Sequence, residues 1–560
     1  MGPRVSIVHR DPCQKYPDCS SSPGMKDRPP RKLGRNILPA GASLLLTLPV
    51  LFLPDWVQLL WPAFTALVLV FTTRRAALSL GIASLVALIV LWRVDRASFL
   101  SWFSGDGGLL GTLTSPWHAY ALIFTLLLGA MSAVIEKSGG LSRFLQRTTN
   151  ITERARRRFL KTVLGLGLLC FFDGLANALM LGRVARPVAD RLRVSRAYLA
   201  YLVDTTSSAV ACLAFLSTWV VTQLGYISVH SPLETAPYLQ FLSSVPCNYY
   251  CLFGLFIAFL SIHHSWVIGP MRSREASVED LAETSLAQHQ PVSSNLRSAL
   301  VPIAVLLLAL PLSIFFLHRP PEALPFSERI QSALNASTVP LAFVIASGAA
   351  LLAACFLSPG GPRWRTARTG LKGAWQLAPA LGILLLAWIL GSLFSELGTA
   401  DVLSRALGDT FPLRFLPVGV FLVGCVMSFV SGTSWGTMGL LMPLALPLAG
   451  TMAGAQELPA EALSDLVPAV IGAVFGGAVF GDHCSPYSDT TIVSALASGV
   501  TTHEHTITQL PFALFAAVAA ISLGYIPVAF GLTSWLALLS GGGVIAIIIS
   551  LWSRKTRAPQ

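Results

Sequence analysis

Long apolar runs separated by short polar breaks occupy almost the whole chain, at 37–54, 56–73, 76–92, 118–135, 162–182, 197–222, 239–262, 298–317, 339–357, 374–394, 415–448, 466–480, 488–500, 509–532 and 534–552. About 20 mostly apolar residues let an α-helix cross the hydrocarbon core, so the pattern predicts an all-α polytopic membrane protein. Two places do not read as plain spans. The run at 162–182 is interrupted by Phe172-Asp173-Gly174 and has basic clusters on both sides, Lys137 to Lys161 before it and Arg183 to Arg196 after it. Lys and Arg favour the cytoplasmic side, and a single crossing would put one cluster on the wrong face. A re-entrant hairpin satisfies both, provided its turn is buried in protein or lines a water-filled cavity. The runs at 466–480 and 488–500 are too short for two complete spans and predict a helix, a break and a second helix entering the membrane.

The two halves of the chain echo each other. Phe171-Phe172-Asp173-Gly174, then Met180, precedes Asp204-Thr205-Thr206; Phe429-Val430-Ser431-Gly432, then Met438, precedes Asp489-Thr490-Thr491. Broken apolar segments in corresponding positions point to a transporter built from structural repeats. The expected organisation is a disordered basic cytoplasmic tail over 1–36, additional transmembrane helices over 37–117 and a first transporter repeat over 118–262. A solvated loop over 263–297 then leads to a second repeat over 298–507, and C-terminal helices with a short basic tail fill 508–560.

Composition agrees with this picture. Of 560 residues 54% are hydrophobic and only 12% charged, about half the charged share of a soluble protein. The net charge of +12 comes from short clusters beside apolar runs, which is the positive-inside pattern and not a nucleic-acid footprint. The tail over 1–36 carries eight Lys/Arg and no apolar signal-peptide core, and Arg554, Lys555 and Arg557 close the chain, so both termini are expected in the cytoplasm and the protein in the inner (plasma) membrane. Most of the nine cysteines lie in or beside apolar runs, where a thiol behaves as a small hydrophobe. Neither a disulfide framework nor a zinc site is expected, and no cofactor is implied.

The densest polar chemistry is Gly481-Asp482-His483-Cys484-Ser485-Pro486-Tyr487-Ser488-Asp489-Thr490-Thr491. Ionised side chains in hydrocarbon cost several kcal/mol, roughly 2.5–3.5 on insertion scales, so two carboxylates there call for a function. The alternative is an aqueous loop, where they cost nothing. Pro486 frees a helix carbonyl, and Ser485, Ser488 and Thr490 add neutral oxygens, the shell a hard cation favours. Asp204 and Thr205 are the first-half counterpart, against the blander reading of a helix cap. Ser431 and Thr433 are ligand candidates or close-packing residues. Trp219 and Trp435 read as packing residues. His483 is either a pH-sensing group or a hydrogen-bonded structural one. Glu136 and Glu396 end apolar runs and read as solvated helix termini.

The stretch Gly481 to Pro486 followed by Ser488-Asp489-Thr490-Thr491 resembles the signature of the NhaC-type Na+/H+ antiporters. Four further stretches match the same pattern: Asp173-Gly174-Leu175-Ala176-Asn177-Ala178-Leu179 with Gly182, Ser195-Arg196-Ala197 leading to Tyr201 through Thr206, Ser217-Thr218-Trp219, and Ser431 through Met438. The likeness covers 118–262 and 371–507, and the Phe172-Asp173-Gly174 sequence lacks one carboxylate of the family's usual pair. It implies a cation/proton exchanger with hairpins and broken helices around a central site. Asp489, Asp204, Asp173 and Asp482 would alternately hold proton and cation, with Asp489 and Asp204 as the Na+ ligands. The alternative within the family is a proton- or sodium-coupled exchanger of a small organic acid or amine. Expected partners are Na+, H+, the bilayer and a second copy in a homodimer. An intramembrane aspartic protease is excluded because Val479-Phe480-Gly481-Asp482 lacks the first glycine of Gly-x-Gly-Asp, and no nucleophile elbow is present, so no enzyme is expected.

Overall fold

The computed structural model describes residues 34–73, 75–105, 108–140, 153–279, 296–319, 338–359, 362–407 and 411–556, with a few positions between 325 and 336. Among the described residues every regular element is helical. Twelve helices are long and apolar enough to cross a membrane, and a bent pair, Pro237–Cys247 with Tyr249–His264, turns by 49°.

The chain runs through α1 (Gly34–Val50), α2 (Asp55–Thr73), α3 (Ala76–Val94), α4 (Arg96–Ser104), α5 (Leu109–Thr114) and α6 (Pro116–Ser138). The first half then folds as α7 (Glu153–Leu169), α8 (Gly174–Arg191), α9 (Arg196–Leu213), α10 (Thr218–His230), α11 (Pro237–Ser244), α12 (Tyr249–His264) and α13 (Pro270–Glu279). After it come α14 (Arg297–His318), α15 (Val339–Leu357), α16 (Arg363–Gln376), α17 (Ala378–Glu396) and α18 (Thr399–Leu407). The second half continues with α19 (Leu416–Ser431), α20 (Ser434–Ala455), α21 (Ala460–Cys484) and α22 (Asp489–Ser498). Helix α23 (Thr502–Ala519), prolonged by a π-helical turn, and α24 (Ser534–Thr556) close the fold. Of the basic tail expected over 1–36, residues 1–33 lie outside the described part and 34–36 already belong to α1. The loop expected over 263–297 contains α13, and its residues 280–295 lie outside the described part.

The segment 153–196 is a helical hairpin whose two ends meet at one residue of α13. Arg156, near the start of α7, pairs with Glu275 of α13, and the backbone N–H of Ser195, just past α8, donates to the same carboxylate at 2.9 Å. Both ends of the segment therefore sit at one face, as the two basic clusters require. Cysteines introduced at Arg157 and Arg191 are expected to react with an impermeant thiol reagent from the same side of the membrane, and reaction from opposite sides would contradict the hairpin.

Each half contains two breaks. In the first, α7 passes to α8 at 170–173 and α9 to α10 at 214–217; in the second, α19 passes to α20 at 432–433 and α21 to α22 at 485–488. Asp173, Ser217 and Thr433 cap the helices that follow, accepting from the N–H groups of Ala176, Val220 and Gly436, which satisfies otherwise orphan donors. Gly432 takes the left-handed conformation, φ +66°, that ends α19 and turns the chain into α20. Helices α19 and α21 approach closely at Gly477, where a Cβ would lie 2.8 Å from the Phe421 carbonyl oxygen. Small residues permit such approach in a bilayer, where helix packing replaces the hydrophobic driving force.

Candidate functional site

The four breaks converge. Thr218, at the start of α10, donates its hydroxyl to Asp173 Oδ2 at 3.3 Å, and its N–H donates to the Phe172 carbonyl at 3.1 Å. Trp219 and Trp435, in the first turns of α10 and α20, face each other with ring centroids 6.2 Å apart, so they join breaks of the two halves and pack as expected. Gly432 lies directly against Tyr487 of the fourth break.

Within this junction two buried carboxylates stand on the helices that precede breaks, Asp204 on α9 and Asp482 on α21. Asp482 accepts from Ser208 at 2.9 Å and from Ser488 at 3.0 Å. Ser208 sits one turn beyond Asp204 on α9, so a single hydroxyl ties the two halves together. Ser488 begins α22 but makes no side-chain cap; its hydroxyl is turned to Asp482 and meets the Thr490 hydroxyl at 3.0 Å. Thr490 and Thr491 donate to the Asp482 carbonyl. Asp204 accepts from Ser494 of α22 at 3.1 Å and Gln509 of α23 at 3.0 Å, and meets His505 Nε2 at 3.1 Å. This is a completely desolvated carboxylate with three side-chain partners.

Two buried side-chain oxygens nearby in the fold have no protein partner: Oε1 of Gln509, whose amide nitrogen holds Asp204, and Oδ1 of Asn177 on the hairpin. The Asn177 amide nitrogen donates to the carbonyls of Gly167 and Thr206 at 3.0 and 2.8 Å, which pins the hairpin to α9. Asp173 is a helix cap and lines a 270 Å³ cavity with Glu136, Ser132, Gln376 and Val493.

The sequence profile of the Na+/H+ antiporter family matches residues 210–528, more than half of the chain. The chain belongs to that family. It is 28% identical over 519 residues to an uncharacterized protein of Haemophilus influenzae, a match covering 89% of this chain and 95% of that one. A Haemophilus influenzae protein described as an uncharacterized Na+/H+ antiporter is 29% identical over 148 residues, 26% of this chain and 28% of its own. The malate-2H+/Na+-lactate antiporter of Bacillus subtilis is 31% identical over 126 residues, 22% of this chain and 23% of its own. Among solved structures, the Alcanivorax borkumensis YdaH transporter aligns with a TM-score of 0.49 at 14% identity, covering 84% of this chain and 99% of that one.

This member of the Na+/H+ antiporter family is thus a multi-pass membrane transporter and not an enzyme. The family match takes in Asp482, Asp489 and His505, while Asp173 and Asp204 lie before it. The positions differ from the sequence expectation in several respects. Asp489 is exposed at the first turn of α22, and it corresponds in place to Thr218 of α10. Asp204 lies in the middle of α9, well before the break, so the two Asp-Thr-Thr triplets occupy unlike positions; triplet identity could not detect this because it carries no helix boundary. Ser431 donates to its own helix at Met427, Thr433 caps α20, and Ser485 accepts from the N–H of Tyr487. These three shape the breaks. His483 is buried, with Nδ1 2.9 Å from the Tyr250 hydroxyl. Glu136 is no simple solvated terminus: it lines the Asp173 cavity and pairs with Arg183 at 3.0 Å. Ser208, Ser494, His505 and Gln509 were not singled out from the sequence. A signal for the last two was available, since His505 and Gln509 stand four residues apart, on one face of a helix whose first two turns are polar and whose remainder is apolar.

Proposed function

We propose that this antiporter-family transporter exchanges Na+ for H+ by alternating access, with Asp482 and Asp204 as the groups for which proton and cation compete. The observation that carries the reading is the pair of buried carboxylates contributed by the pre-break helices of the two halves and linked through Ser208. A carboxylate withdrawn from water can be neutralised by a proton or by a cation, and either occupant excludes the other. The unpartnered oxygens of Gln509 and Asn177 are of the neutral kind a hard cation takes beside an anionic one. Motion of one half against the other would open the junction to each face in turn. The basic clusters and both termini would face the cytoplasm.

The test is purified protein in liposomes that enclose a pH-sensitive dye. Addition of external Na+ should make the lumen alkaline, and Li+, K+, malate and lactate form the comparison panel. No proton movement with any of them would end the exchange reading, whereas a response to an organic acid alone would select the alternative cargo. Competition also sets a pH dependence. Raising the pH is expected to lower the apparent KM for the cation with little change in maximal rate, and a KM constant across pH would show that the two do not share a site.

A further inference from the structure

Helix α10 carries Thr218, Thr222, Tyr226 and His230, each four residues after the one before. Side chains at that spacing stand one above another on a single helix face. All four are buried, with Tyr226 and Thr222 at 0% exposure. At the first end Thr218 donates to Asp173, which lines the 270 Å³ cavity that also contains Glu136. At the other end His230 lies against Gly391 of α17 and follows Val229, which shares a cavity with His118 of α6; the His118 ring stacks on Trp388 of α17 at a centroid distance of 3.8 Å. His118 and Trp388 line a second cavity of 130 Å³ with Ser115, Val229 and Ser392. Helix α6 runs past both cavities, and His118 and Glu136 are roughly 27 Å apart along it at ~1.5 Å per residue. The cavities therefore lie toward opposite ends of the bundle.

Between them stand polar atoms with no protein partner: the Tyr226 hydroxyl, both ring nitrogens of His230 and Nε2 of His118. Buried polar groups are almost always satisfied, and where protein supplies no partner ordered water does. Hydroxyl, phenol and imidazole can each take a proton on one side and release one on the other with no net change of charge, the hydroxyl turning and the imidazole exchanging tautomer before the next proton passes. The titratable group near His230 is His118; α17 presents Gly391 against the His230 ring and α20 presents Pro443 beside Gly391, neither of them charged. Thr222 interrupts the line, because its hydroxyl donates to the Thr218 carbonyl of its own helix at 3.1 Å.

We propose that this face of α10 is a hydrated proton path from the His118 cavity to Asp173, whose cavity reaches Val493 beside the Asp204 partner Ser494, so that it supplies the Asp482–Asp204 cluster with protons and is closed at Thr222 in this conformation. Rotation of the Thr222 hydroxyl connects the line, and its closure keeps the two cavities from leaking protons into each other. The proposal rests on the proton-coupled reading above.

In liposomes, Tyr226→Phe and His230→Gln should slow Na+-driven proton movement by about tenfold or more, while exchange of labelled for unlabelled Na+, which needs no proton, stays at the unmodified rate. Undiminished proton movement, or equal loss of both activities, would overturn the path. Hydration is read separately in a background freed of native cysteines. Thr222→Cys and Tyr226→Cys should react with a small water-soluble thiol reagent and Leu224→Cys should not; inert thiols at both stripe positions would also overturn the proposal. If the unmodified protein moves no protons with any cation, the antiport reading falls, and the thiol reactions still decide whether the line holds water.

Discussion

Substituting Asp482 by Asn is expected to reduce cation-driven proton movement by roughly 100-fold or more while the protein still inserts and folds. Asn preserves the size of the side chain, and its carbonyl can still accept from Ser208 or Ser488, which now hold the carboxylate at 2.9 and 3.0 Å. The new amide N–H can donate to the other hydroxyl, because hydroxyls both donate and accept. Only the negative charge and the titratable proton disappear. Folding should change by no more than about 1 kcal/mol, the net worth of an ordinary hydrogen bond. Asp489→Asn should retain most transport, since that side chain is exposed at the start of α22. Glu396→Gln, also at an exposed position, is the unaffected control. Glu136→Gln should fall between, because Glu136 borders the Asp173 cavity and pairs with Arg183. The variants are compared at equal protein content in liposomes. Near-normal exchange by Asp482→Asn, with loss in Asp489→Asn, would return the leading role to Asp489.

The membrane architecture and the hairpin were legible because each rests on a property spread over many residues. Hydropathy places the spans, and two basic clusters flanking one broken run force the chain back to the face it left. The four breaks were partly legible: Asp173-Gly174, Ser431-Gly432-Thr433 and Ser485-Pro486 carry their own turn chemistry. The break at 214–217 was hidden inside the run 197–222, where Ala214, Phe215 and Leu216 give hydropathy no reason to stop. The site was harder to read, because it depends on which helix faces which. Asp489 and Asp482 are seven residues apart on either side of a break, and only the break decides that Asp482 turns into the junction. Ser208 reaches across 274 positions to Asp482, and His505 across 301 to Asp204. Pairings at that separation leave no periodic trace in one chain.

The environment of Asp204 makes a second strong prediction, this time about stability. His505 and Asp204 are completely buried and 3.1 Å apart. His505→Leu removes one partner and leaves a carboxylate in a desolvated site with only Ser494 and Gln509 to satisfy it. Stranding a buried charge in this way should cost about 3 kcal/mol. His505→Gln keeps an N–H that can reach the carboxylate and should recover most of that loss. The decisive variant is Asp204→Asn combined with His505→Leu. Once the carboxylate is an amide, the missing imidazole leaves no charge unpaired, so the double substitution should be more stable than His505→Leu alone. The two effects are therefore non-additive in a defined direction, as expected for groups in direct contact. Unfolding midpoints of the detergent-purified variants measure this order. A double variant less stable than His505→Leu would show that His505 holds α23 in place by packing and not by answering the charge of Asp204.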